Sequence, residues 1–396
     1  MQLIVKNGQI LQSNGTFKKG HIGIDEGKIA ALWYDEEPPA DKSIPNINAE
    51  GLLVSPGLID THTHGGNTCS FCFSTFNSPG EQSSWEKMQR RLSSIGVTSI
   101  LATGTSLPPE ETLNFVDSAA ALSLKNKINQ VEVLGIYMEG PYISKARKGA
   151  HREEYIRNAS KDEVRKILER AGGLIKVWAL APEIRENLDL AENLAASGIS
   201  VSIAHSDASY DEALAAFHKG VNRVTHTFNG MPPISHRYEG IITAAMQQGA
   251  FMELIADGHH VSPMIVRMFI SASDPGKIVL VSDNNEFAGL PDGSYDQGKS
   301  KLTVAHGQIK TEAGGLAGSI ACLNKCVHNL THWGFSAADA LKMATENPAR
   351  SIGVFNRKGS ISMEKDADIV IWNSQFEAMM TIKAGRIVHK HETYTA

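Results

Sequence analysis

Two histidines stand two residues apart in the stretch Pro56-Gly57-Leu58-Ile59-Asp60-Thr61-His62-Thr63-His64-Gly65-Gly66. On an extended chain, residues i and i+2 face the same side. Both imidazoles can therefore reach one metal ion, while the two glycines let the chain turn away behind them. A bare His-x-His is also what two ordinary surface or core histidines look like. This pair is set apart by the apolar strand before it and by matching residues downstream. Glu139, Glu183, His205, His226, Asp257, His260 and Asp283 each follow a short apolar run. Taken singly, a carboxylate there reads as a cap for the next helix and a histidine as hydrogen-bonded core. Gathered at one place they would cost too much stability to be only structural. Imidazoles with one or two carboxylates suit Zn²⁺ or Fe²⁺ better than Mg²⁺. With Glu139 bridging, His62/His64 could hold one ion and His205/His226 a second, so one or two metals per subunit are expected. A divalent ion lowers the pKa of bound water towards ~7, and Asp283 can take the water proton and return it to a leaving amine. The chemistry expected is hydrolysis of a C–N bond.

The elements that must position these residues follow from periodicity. The apolar runs end near His62, Thr103, Glu139, Pro182, His205, Thr227, Asp257 and Asp283, and stretches of 3.6-residue periodicity fill the gaps, among them Trp85–Ile95, Glu110–Leu122, Lys161–Arg170 and Pro263–Ile270. Eight strand–helix units are the count of a (β/α)8 TIM barrel, an α/β fold whose chemistry sits at the C-terminal ends of its strands. An open doubly wound sheet is the alternative, but no Gly-x-Gly-x-x-Gly follows the first strand. Residues 1–53 read instead as short strands between Asn7-Gly8, Asn14-Gly15 and Glu26-Gly27, pairs that mark hairpins. The tail repeats that grammar in Lys358–Ile361, Ala367–Trp372 and Met380–Val388. Neither end can bury a core alone. We therefore expect 1–53 and 353–396 to combine into a small β-sandwich flanking a catalytic barrel of 54–352.

Composition narrows the partners. A net charge of -5 offers no basic footprint for nucleic acid or an anionic membrane. The N-terminus lacks the long apolar core and cleavage site of a secretory signal, and no stretch approaches the ~20 apolar residues of a transmembrane helix. A cytoplasmic protein acting on a small molecule is expected. Cys69/Cys72 and Cys322/Cys326 have spacings a structural zinc site would use, although thiols one helical turn apart more often pack as small hydrophobes.

Across almost its whole length the sequence resembles the amidohydrolase superfamily, and within it the amino-sugar-phosphate deacetylases. The resemblance rests on Pro56–Asp60 with His62–Gly66, Met138-Glu139-Gly140-Pro141-Tyr142, Lys148-Gly149-Ala150-His151, Ala204-His205-Ser206, Thr225-His226-Thr227-Phe228-Asn229-Gly230-Met231, Ala256-Asp257-Gly258-His259-His260, Val281-Ser282-Asp283 and Leu316-Ala317-Gly318-Ser319. No lysine ends a strand, unlike relatives that bridge metals with a carboxylated lysine. The resemblance implies deacetylation of N-acetylglucosamine-6-phosphate to glucosamine-6-phosphate and acetate. It assigns Glu139, His205 and His226 to the main metal, with His62 and His64 available to a second, and Asp283 as acid/base. His151 would orient the acetamide or sugar. Ala150, Asn229, Gly230, Arg237, Asp257, Gly258, His259, His260, Leu316, Ala317 and Gly318 would form the substrate shell. Arg237 and His260 fall at the 6-phosphate, and the arginine is lent by a second subunit, which implies a homodimer.

Three stretches depart from that pattern: Asn284-Asn285-Glu286-Phe287 beside the acid, Tyr238-Glu239 after the arginine, and Asn67–Phe76 after the histidine pair. The N-acetylgalactosamine-6-phosphate epimer, or another N-acyl amide, is therefore an alternative substrate. A non-catalytic scaffold is the alternative from another class, and such barrels lose metal ligands that this chain keeps.

Overall fold

The computed structural model describes residues 1–41, 43–72, 84–125, 130–297 and 300–394. Eight parallel strands form one sheet in sequential order: β1 (Leu58–Thr63), β2 (Val97–Thr103), β3 (Glu132–Glu139), β4 (Ile175–Leu180), β5 (Ser200–Ile203), β6 (Arg223–Val224), β7 (Phe251–Leu254) and β8 (Ile278–Leu280). Alternation along a strand sends successive residues to opposite faces. Leu58, Ile100, Ile136, Met138, Trp178 and Leu180 accordingly pack outward under the helices. Ile59, Leu101, Tyr137, Val177 and Ala179 form a separate inner cluster with Ala349 and Ile352. The sheet is drawn shut at its C-terminal rim, where the Asp283 amide donates to the His62 carbonyl at 2.9 Å and the His64 amide to the Asn284 carbonyl at 2.6 Å.

Both chain ends supply one eight-stranded sheet, in which Ile369–Trp372 pairs antiparallel with Leu53–Pro56, the strand that runs through Gly57 into β1. Its own core gathers Ile10, Ile22, Ile24 and Ile29 from one end with Ile369, Ile371 and Ile382 from the other. Two local expectations change. Asn7-Gly8 is not a hairpin turn but a bulge within the single strand Leu3–Leu11, with Asn7 at φ 62°. A Cβ at Gly8 would lie 2.4 Å from the Val54 side chain, so glycine is needed where the neighbouring strand crosses. Lys358–Ile361 is likewise a loop rather than a strand. Its Lys358 is spent on Glu132, Asp366 and Asp368, a buried charge cluster with Arg357 and Lys383 that ties sheet to barrel. A three-stranded sheet, Gly293–Gln297, Ser300–Ala305 and Gln308–Thr311, follows β8 and was not expected from the periodicity.

Trp372 joins the two bodies. It is fully buried against the barrel's outer core, its indole N–H donates to Ser55 Oγ at 2.8 Å, and a Cβ at Gly96 would collide with its ring at 2.2 Å. Trp372→Ala should lower the unfolding free energy by about 3–5 kcal/mol, read from chemical denaturation. Among the described residues, no helix is long and apolar enough to cross a membrane.

Candidate active site

The rim of the barrel brings the strand-end residues together around Glu139. Its Oε1 lies 3.0 Å from His226 Nε2, 3.3 Å from His205 Nε2 and 3.7 Å from His62 Nε2, and its Oε2 lies 3.2 Å from His64 Nε2. His62 and His64 approach each other at 3.3 Å, and Asp283 Oδ1 lies 3.4 and 3.3 Å from the two. His205, His226 and Asp283, at the turns that follow β5, β6 and β8, all take positive φ of 43°, 27° and 51°. Side-chain-bearing residues adopt that region at a cost of about 1–3 kcal/mol each, and such strain collects at functional sites. Here it turns three side chains into one centre.

Hydrogen bonding at the far nitrogen sorts the histidines by role. His205 Nδ1 faces the Arg147 carbonyl at 2.8 Å and His226 Nδ1 the Asn229 carbonyl at 3.1 Å, while His62 Nδ1 faces the Glu253 carboxylate at 2.8 Å. All three partners accept, so each Nδ1 carries a proton and Nε2 is the nitrogen turned towards Glu139, where it can offer a lone pair to a metal ion. His151 is the reverse. Its Nδ1 accepts from the Ser106 amide at 3.1 Å, which leaves the proton on Nε2, 3.6 Å from Glu139 Oε2. His151 is therefore a hydrogen-bond donor into the site, although it also lies near His205 and Glu139 in a group of ligand-type side chains. Imidazole lone pairs and carboxylate oxygens converging on one point are the donor set of a divalent metal, and the residues fit such an ion.

The charges follow from this crowding. Burial would lower the His62 pKa, but the carboxylates of Glu253, Asp283 and Glu139 outweigh it and push it up to about 10, so Nε2 holds a second proton unless a metal ion takes its place. Burial and the neighbouring His205 take His151 down to about 4, so its ring is neutral. Burial would raise Asp283, but His62 and His64 hold it at about 2, so it stands as an ionised carboxylate.

A cleft of about 250 Å³ opens above these groups, near the lower end of small-molecule sites. Of the expected substrate shell, Ala150, His151, Asn229, Gly230, His260, Leu316, Ala317 and Gly318 line it. Asp257 stands behind His260, holding its Nδ1 at 2.7 Å and accepting from the His259 and His260 amides. Gly258 and His259 are not among the lining residues, and His259 hydrogen-bonds Gln308 of the inserted sheet. Arg237 is exposed, outside the cleft, and donates to His236. Glu183 caps the chain after β5, accepting from Ser206 Oγ and the Asp207 amide at 2.7 Å each, so it takes the structural role. The four cysteines are free. Cys69 packs in the core while Cys72 faces the cleft, and among the described residues no cysteine belongs to a group able to hold a metal. The segment Asn67–Phe76 is described only to Cys72. The cluster of Glu132, Asp366 and Asp368 is already neutralised by Lys358, Lys383 and Arg357 and needs no ion.

Several site residues carried no sequence signal. Arg152, Tyr155 and Leu302 line the cleft, Leu302 from the inserted sheet. Glu253 and Arg223 lie fully buried beneath it. A lone carboxylate in Phe251–Leu254 reads as a solvent-facing strand position. Only the opposite charge in the adjacent strand hints otherwise, since such residues are buried only when paired.

The comparisons with known proteins agree with this geometry. Residues 53–388 match the amidohydrolase family. An N-acetylglucosamine-6-phosphate deacetylase of Bacillus subtilis is 35% identical, covering 97% of this chain and 96% of its own length. An N-acetylgalactosamine-6-phosphate deacetylase of Escherichia coli O157:H7 is 31% identical over 94% of this chain and 96% of its own. The crystal structure of N-acetylglucosamine-6-phosphate deacetylase from Thermotoga maritima superposes with a TM-score of 0.85 at 31% identity, covering 98% of this chain and all of that one. The family match takes in the whole barrel and every strand that the C-terminal end contributes to the flanking sheet up to Val388, and this chain belongs to the amidohydrolase family of hydrolases acting on amide bonds.

Proposed function

We propose that this protein removes the acetyl group of N-acetylglucosamine-6-phosphate, releasing acetate and glucosamine-6-phosphate. The observation that carries the reading is the opposed hydrogen bonding of the histidines. His62, His205 and His226 each turn Nδ1 to an acceptor and Nε2 to Glu139, whereas the His151 Nδ1 accepts an amide and leaves its Nε2–H facing Glu139. A bound divalent ion, Zn²⁺ or Fe²⁺, would supply Lewis acidity and lower the pKa of a water molecule in the site. Glu139, His205 and His226 would hold it, with His62 and His64 forming the other half of the cluster. The remaining work falls to the chain itself. His151 donates its Nε2–H to the acetamide oxygen, strengthening as charge builds there. Asp283 accepts the proton of the attacking water and passes it to the departing amine. Asn229, Gly230 and His260 line the cleft where the sugar would rest, and Leu316–Gly318 closes the opposite wall.

Arg237 reaches a phosphate only if a second subunit lends it, because within one chain it is exposed and does not line the cleft. A homodimer is supported by exposed apolar side chains in two stretches. Ile234 and Tyr238 share its loop, and Met264, Ile265 and Met268 lie on the helix Pro263–Ala272, which packs against the β6 loop through Phe228 and Phe269. Exposed apolar patches of this kind mark interfaces. Four free cysteines accord with action in the reducing cytoplasm.

The test is steady-state kinetics with N-acetylglucosamine-6-phosphate, its C4 epimer and both unphosphorylated sugars, with metal content measured on the same sample. No acetate release from any phosphorylated sugar would sink the reading, and preference for the other epimer would redirect it. Arg237→Ala should lower kcat/KM for the phosphorylated sugar by about 10–100-fold, the worth of one or two charged hydrogen bonds, and leave the unphosphorylated sugar unchanged. Arg152→Ala belongs beside it, since Arg152 is the one lysine or arginine lining the cleft among the described residues.

A further inference from the structure

Glu253 is the third residue of β7, fully buried, and touches neither the cleft nor Glu139 directly. Its Oε2 accepts from His62 Nδ1 at 2.8 Å and from the His226 backbone amide at 3.1 Å. Its Oε1 accepts from Arg223 Nε at 2.8 Å. The remaining nitrogens of Arg223 are spent on Ser351 Oγ and Thr61 Oγ1, each at 2.7 Å. The carboxylate thus takes three donors, from β1, β6 and the turn after β6, and is held against His62. If its purpose were only to neutralise Arg223, one oxygen would suffice. The second oxygen joins a ring of one metal half-site to the backbone of the other.

We propose that Glu253, braced by Arg223, is a positioning residue that fixes His62 with its Nε2 lone pair towards Glu139 and couples the two halves of the metal cluster. A carboxylate behind a ligating histidine sets the tautomer and raises the basicity of the ligand, and losing such a partner typically costs 10–100-fold in metal affinity. The Arg223 guanidinium, 2.8 Å from Glu253 Oε1 and equally buried, compensates the carboxylate's charge where it lies. Arg223 and Glu253 occupy one another, so Glu253 stays behind His62 and does not compete for the ion.

This inference rests on the metal-dependent reading above, and its test separates the two. Purified protein is loaded with Zn²⁺ and dialysed against graded chelator, and bound metal is counted per subunit. Glu253→Gln should weaken the ion that depends on His62 by about 10–100-fold and leave the ion at His205 and His226 within a few-fold. In a His62→Ala background the same substitution should do nothing further, because Glu253 acts on that ion through His62. Equal affinities in wild type and Glu253→Gln, or an undiminished effect in the His62→Ala background, would overturn the proposal. So would a wild-type protein that holds a single ion insensitive to His62→Ala. A wild-type protein that binds no divalent metal at all would instead overturn the metal-dependent reading. Should Glu253→Gln fail to fold by circular dichroism, Ser351→Ala loosens Arg223 without touching Glu253 or a histidine. It should weaken the same ion by a smaller factor, and no change there would count against the bracing role.

Discussion

Asp283→Asn is expected to lower kcat by about 10²–10⁴-fold, the range for loss of a positioned general acid–base, while bound metal stays at the wild-type level. The two halves of that expectation have different causes. Asp283 lies beside His62 and His64 with one oxygen 3.4 and 3.3 Å away, and their charge keeps it ionised. Asparagine keeps the shape and a carbonyl oxygen but cannot accept a proton. Glu139, His205 and His226, the proposed ligands, make no hydrogen bond or ion pair with Asp283, so their hold on an ion should survive. Its backbone amide closes the barrel onto the His62 carbonyl and is untouched by the substitution. Single-turnover kinetics with metal analysis decide the matter. Unchanged turnover would remove Asp283 from the mechanism, and loss of metal alongside activity would make it a ligand instead.

Glu139→Gln should be more severe, because it strikes binding and chemistry together. Glu139 is buried within 3.7 Å of five imidazole nitrogens: those of His62, His64, His151, His205 and His226. Burial would push its carboxyl up, but the surrounding histidines hold it well below the usual carboxylate range. It therefore supplies the negative charge at the centre of the five imidazoles. Removing that charge should lower metal affinity by more than about 100-fold, beyond what an outer partner contributes, and bring activity down to that of chelated wild type. Zinc added back after chelation should restore the wild-type enzyme and leave Glu139→Gln inactive. Wild-type stability should move in step, since an ion at ~1,000 times its Kd adds about 4 kcal/mol to a folded state. A Glu139→Gln protein with full metal content and activity would remove Glu139 from the centre of the site.

The barrel and the ends of its strands were legible because the residues there obey two rules at once. Continuous apolar runs such as Ile278–Leu280 mark strands buried on both faces, and a polar residue that ends such a run, as Glu139 or Asp283 does, stands at the rim. The resemblance added roles that spacing could not, such as that of His151. What sequence left hidden was of three kinds. The tautomers depend on carbonyls far along the chain, as with Arg147 behind His205. The Glu253–Arg223 pair hides in strands whose pattern gives no sign that a charge faces inward. The bulge at Asn7-Gly8 uses the residues of a turn, and only the strand passing over Gly8 makes it a bulge.

The rim seam has a consequence for how the molecule assembles. The bonds that shut the barrel join His62 and His64 to Asp283 and Asn284, residues about as far apart in sequence as the barrel allows. Asp283 and the histidine pair are therefore brought together by the last strand docking on the first. Loop closure over so long a separation is entropically slow. A chain still emerging from synthesis, or one folded only as far as β7, would carry the histidines and Glu139 without Asp283. On the proposed mechanism such an intermediate holds the proposed metal ligands but lacks the group that moves the proton.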